Sequence, residues 1–99
     1  MSNYSSKDPS EIIFYGLNFG QLLSEGETIT AATVACEAAL GVDAAAATMP
    51  SGAVGINGSV VRSLIGGGVH GVTYKVSFEV DTSSGQKLKD HGIFDVRKS

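Results

Sequence analysis

The chain has one cysteine, two prolines and no tryptophan among its 99 residues. A single Cys36 excludes an internal disulfide. With Val34 and Ala35 beside it, Cys36 reads as a small buried apolar side chain rather than a reactive thiol. Charge is also sparse: only 17% of residues are charged, the net charge is −3, and no basic stripe is present. That balance excludes nucleic acid as a partner. No apolar run approaches the ~20 residues needed to cross a bilayer as a helix, which argues against a membrane partner. The opening Met1-Ser2-Asn3-Tyr4-Ser5-Ser6 lacks the charged-then-apolar order of a signal peptide. These absences predict a protein made and kept in the cytoplasm, or assembled there into something larger.

What is present is alternation. From Val72 to Val80 every second residue is apolar (Val72, Tyr74, Val76, Phe78, Val80), and Thr73, Lys75, Ser77, Glu79 and Asp81 occupy the polar phase. Successive strand side chains point to opposite faces, so this is a strand with one buried and one wet side. Val76 and Phe78 are assigned to the core on that phase. Thr82-Ser83-Ser84-Gly85 reads as a turn, and a second strand follows from about Gln86 to Val96. Its buried phase carries Leu88, Phe94 and Val96; Lys87, Lys89 and Asp95 face out. With 42% hydrophobic residues the chain is too apolar to stay disordered. Its length suits one domain with a modest core.

Residues 1–10 are polar and end in Asp8-Pro9-Ser10, which resists both helix and ladder pairing. They read as an N-terminal arm, leaving 11–99 as the folded domain. Ile12, Ile13, Phe14 and Tyr15 then form an apolar run. Ile13 and Tyr15 share one face and Ile12 and Phe14 the other, so the strand is either central or covered by another subunit. Residues 19–26 read as a turn in which Leu22 and Leu23 cap one end of the core. The alternation resumes at Ile29 and slips near Ala31-Ala32, which a β-bulge explains. Residues 37–48 are alanine-rich and would be helical on propensity alone; between strands they read as strand and loop. Asn57-Gly58 between apolar segments signals a hairpin with a type I′ turn. The sum is about seven antiparallel strands with turn signals every 8–12 residues or so, the pattern of an all-β sandwich of immunoglobulin-like type.

Tyr74 sharpens that reading. It lies early on the second-last strand, after a glycine-rich corner, where such sandwiches place a tyrosine whose hydroxyl bonds back to the corner. Chemistry-bearing patterns are weak by comparison. Gly66-Gly67-Gly68 is followed by no helix start and no Gly-Lys-Ser/Thr ending, so it is no phosphate cradle. His70 and His91 have no second ligand at zinc spacing. Asp90 and His91 are adjacent on one strand and point to opposite faces, a poor arrangement for a base and its orienting group beside Ser77, Ser83 or Ser84. No catalytic, metal-binding or cofactor-binding residue is assigned, and the chain is not read as an enzyme.

The chain resembles the small fibre–tail adaptor proteins of tailed bacteriophages. The resemblance is carried by Asp8-Pro9-Ser10-Glu11, Tyr15, Phe19, Leu23 and Gly26-Glu27-Thr28-Ile29. It continues through Leu64-Ile65-Gly66-Gly67-Gly68, Gly71-Val72-Thr73-Tyr74 and Thr82-Ser83-Ser84-Gly85. Two positions depart from the family pattern: Phe19 replaces an expected tryptophan, and Phe14 an acidic residue. The resemblance implies a structural protein of the virion, made in the host bacterial cytoplasm, that joins the tail tube or connector region to tail fibres. It implies several copies of the chain around the tail, as a ring, with tail and fibre proteins as partners. Alternatives are a capsid decoration protein and a stand-alone immunoglobulin-like adhesion module; the latter usually carries a secretion signal and a linker. Ile12 and Phe14 are the candidate assembly contact, because contiguous exposed apolar surface needs a cover.

Overall fold

The computed structural model describes residues 2–3 and 6–98. Among them are seven strands: β1 (Ser2–Asn3), β2 (Ile12–Asn18), β3 (Ile29–Leu40), β4 (Pro50–Asn57), β5 (Val60–Gly66), β6 (Thr73–Thr82) and β7 (Lys87–Asp95). A single 3-10 turn, Ala46–Thr48, interrupts the otherwise all-β chain. The strands form two sheets in the orders β1-β7-β6-β3 and β2-β5-β4. All paired neighbours are antiparallel except β1, which runs parallel to β7. The two sheets enclose one core, giving the immunoglobulin-like β-sandwich.

The alternation on β6 sets the core. Tyr74, Val76 and Phe78 are 0% exposed. Val61 and Ile65 of β5, Tyr15 and Leu17 of β2, and Phe94 of β7 belong to the same buried cluster. Tyr15 stacks on Phe94 with ring centroids 4.6 Å apart, and Phe94 stacks on Tyr74 at 5.4 Å. This three-ring stack ties the sheets together, since Tyr15 lies in one and Phe94 in the other. Such ring pairs contribute about 0.5–1.5 kcal/mol each beyond their buried area.

On β3 the pairing with β6 shifts register between Ile29 and Ala31, and again between Ala38 and Leu40. The first shift is the inserted residue that lets Ile29 and Cys36 both reach the core. The alanine-rich segment after β3 becomes a loop, and Ala46 and Met49 fold back into the core beside Cys36. Burial pushes the Cys36 thiol up to about 11, with Asp43 and Glu37 adding to the shift. That protonated, enclosed sulfur is a packing group.

Two local expectations change. The β4–β5 hairpin forms, but Asn57 closes β4 and pairs with Val60, so Gly58 and Ser59 are the central residues. Only Gly58 has positive φ, at 62°, and no residue other than glycine does so among those described. Positive φ at the first central residue is the type II′ pattern, not I′. Leu22 does not cap the core: it is 51% exposed, and only Leu23 of the pair packs against the buried cluster. The tight turn that carries Leu22, closed by its N–H on the Phe19 carbonyl at 2.9 Å, aims the side chain outward.

Of the segment read as an arm, Ser2, Asn3 and Lys7 lie along the last strand and its extension. Ser2 and Asn3 pair with Gly92 and Ile93, and Lys7 bridges Val96 in parallel. Lys7 is 0% exposed. Its ammonium donates to the Asp8 carbonyl at 2.9 Å and to the Gly67 carbonyl at 2.6 Å. Burial holds its pKa below the ordinary lysine value, and Glu11 and Asp8 oppose that shift.

Candidate docking surface

The outer face of the β2-β5-β4 sheet is built by the alternate residues of three short strands. Tyr15 and Leu17 point inward, so Ile12, Phe14 and Gly16 point outward. Across the ladder they meet Gly66, Leu64 and Arg62. On the far side, Ser51 opposes Leu64 and Gly55 opposes Arg62. Ile12 is 65% exposed and Phe14 55%. Glycine keeps the face low beside them. A Cβ on Gly16 would sit 2.6 Å from the Val61 carbonyl oxygen and 3.0 Å from Arg62 Cβ.

Arg62 is the only charged residue in β2, β4 and β5. Its guanidinium carbon lies 4.5 Å from the centroid of the Phe14 ring, a cation–π contact that holds the charge over the apolar strip. The outer face of the other sheet is different in kind. Lys87 reaches Glu79 at 3.3 Å and Asp81 at 3.2 Å, and Lys75 reaches Glu37 at 3.9 Å. One outer face thus carries paired charges; the other is largely apolar, with Arg62 as the one charge of its three strands.

The remaining candidate residues fall elsewhere. Val76 and Phe78 lie in the core. The Tyr74 hydroxyl accepts from the Val69 N–H at 2.7 Å and donates to Asp43 Oδ2 at 2.7 Å. Burial and the Asp43 hydrogen bond push its ionisation up to about 12. The turn entering β6 and the loop after β3 are therefore fastened to one side chain. His70 Nδ1 accepts from the Lys98 N–H at 2.9 Å. His91 pairs across the ladder with Ser77 on the outer face, while Asp90 pairs with Phe78 on the inner one. Serine, histidine and aspartate are not gathered into one constellation. Among the described residues, no group of three His, Cys, Asp or Glu side chains is placed to hold a metal ion, and no helix is long and apolar enough to cross a membrane.

The sequence reasoning missed two features of the surface. Arg62 gave no signal by itself; its weight comes from being alone in three strands. Leu40 and Val42 are 68% and 87% exposed, and the reading of residues 37–48 as strand and loop gave neither a place on the surface. The register shift between Ala38 and Leu40 puts Leu40 opposite Thr73 on the outer phase, and Gly41, at φ 93°, ends the strand before Val42. A family model described as podophage GP4 fiber-tail adaptor protein gp77 matches residues 7–94. No curated protein matches the chain.

Proposed function

The chain belongs to the podophage fiber-tail adaptor family, and from that membership we propose that it is a structural component of the phage tail, joining the tube or connector region to the fibres as a ring of copies. The observation that supports the reading is the outer face of the β2-β5-β4 sheet, where Ile12 and Phe14 are exposed beside a lone Arg62. The opposite face carries paired charges instead, Lys87 with Glu79 and Asp81 and Lys75 with Glu37. In a ring, each copy offers the same patch, so many individually weak contacts act together and the attachment withstands the loss of any one. No step of covalent chemistry is required of such a protein.

The test is a surface variant that spares the core. Ile12→Asp with Phe14→Asp places two carboxylates on an already exposed face, so the purified protein is expected to melt within ~0.5 kcal/mol of the wild type. Its incorporation into tails is expected to fail. Normal incorporation of the double variant, with both positions facing solvent in images of the particle, would overturn the assignment of this face.

A further inference from the structure

We infer that the cover on the Ile12–Phe14 face is a second copy of this chain, presenting the strip formed by Glu37, Leu40 and Val42; the inference rests on the ring reading above. The argument is one of matched order. On the β2-β5-β4 face, the Arg62 guanidinium sits over Phe14. Ile12 lies two strand residues further toward the Gly66 end, about 7 Å away. On the opposite sheet Glu37 pairs with Lys75 and Leu40 with Thr73. The bulge between Ala38 and Leu40 returns Leu40 to the outer phase one row beyond Glu37, again about 7 Å. Val42 follows just past the strand, 87% exposed.

The two strips run in the same direction. The Gly66 N–H donates to the Met49 carbonyl, and the Tyr74 hydroxyl joins Val69 to Asp43, so the end of the domain that holds Ile12 also holds Leu40 and Val42. One face therefore reads cation then apolar, the other anion then apolar, both toward the same end. Head-to-tail contact about an axis parallel to the strands preserves that direction. It sets Arg62 against Glu37 and Ile12 against Leu40.

A two-fold contact of the Phe14 face with itself does not satisfy the same chemistry. Arg62 is the only charged residue in β2, β4 and β5, so the partner copy would offer it no carboxylate. Glu37 is available for a new cation. Its present pair with Lys75 is long, at 3.9 Å, and the Glu37 side chain is 68% exposed, a class of surface pair that contributes little. A heterologous contact between opposite faces closes into a ring when the rotation per copy allows it.

The experiment is done on assembled tails. A chain carrying both Ile12→Cys and Leu40→Cys is oxidised in the particle and resolved without reductant. The expected product is a ladder of covalently joined copies of this chain. Neither single variant should give it, because the native Cys36 is enclosed. In parallel, Arg62→Glu and Glu37→Arg are each expected to lose incorporation, and the two together to regain it. Cross-linking of position 12 to a different tail protein, with normal incorporation, overturns the second-copy inference and leaves the adaptor reading standing. A double charge reversal that melts like the wild type yet stays out of the particles also overturns it. Absence of the wild-type chain from tails removes the adaptor reading itself, and the inference with it.

Discussion

Tyr74 fastens two loops through one oxygen. Its hydroxyl is both acceptor from Val69 and donor to Asp43, and the ring is 0% exposed. Tyr74→Phe keeps the ring stack and removes both bonds. The expected cost is about 1–3 kcal/mol, toward the lower end if the Asp43 carboxylate regains water. Urea unfolding should show a lower midpoint with an unchanged slope; an unchanged midpoint would mean that water replaces the hydroxyl without loss. The inward position of Tyr74 follows from the phase of its strand. Asp43 does not, because it lies 31 residues away in a run of small side chains. Lys7 was equally hidden. A lysine in a polar segment carries no mark of burial, and its Gly67 acceptor is 60 residues distant.

At the scale of elements, the alternation on β6 separates two neighbouring substitutions. Phe78→Ala empties a site that is 0% exposed and is expected to cost ~3–5 kcal/mol. Lys75→Ala removes only a loose partner of Glu37 and is expected to cost well under ~1 kcal/mol. Denaturant melts of the pair check the phase directly, and a more damaging Lys75→Ala would reverse it. The strand most legible in the sequence is β6, with large apolar side chains in strict alternation; β7 was legible as its hairpin partner, through the turn at Thr82-Ser83-Ser84-Gly85 and the inward Leu88 and Phe94. The bulge on β3 was legible too, because Ile29 and Cys36 can reach one face only if a residue is inserted. The β4–β5 turn type was not. Asn-Gly is compatible with more than one register, and the pairing of Asn57 with Val60 decides in favour of Gly58 and Ser59 at the centre. Leu22 failed for a related reason: an apolar residue in a tight turn follows the turn, whatever its hydropathy.

At the scale of the whole molecule, the asymmetry between the faces was only half visible from the chain. Ile12 and Phe14 announce an apolar outer phase. The emptiness of charge around Arg62 emerges only once β2, β4 and β5 are placed side by side. The first and last strands add a mechanical property. Beyond β1, the Lys7 N–H donates to the Asp95 carbonyl at 3.0 Å, and the Arg97 N–H to the Lys7 carbonyl at 2.8 Å. Because these segments run parallel, tension drawing residue 2 one way and residue 98 the other loads their bonds in shear, all at once. An antiparallel pair pulled at the same residues would peel open one bond at a time. Single-molecule stretching between those positions is therefore expected to show a high rupture force. Arg97→Pro, which deletes one donor from the clamp, should lower it, and an unaltered force would mean that the clamp lies elsewhere. Pulled along that line, the domain would then hold until the whole clamp gives way at once.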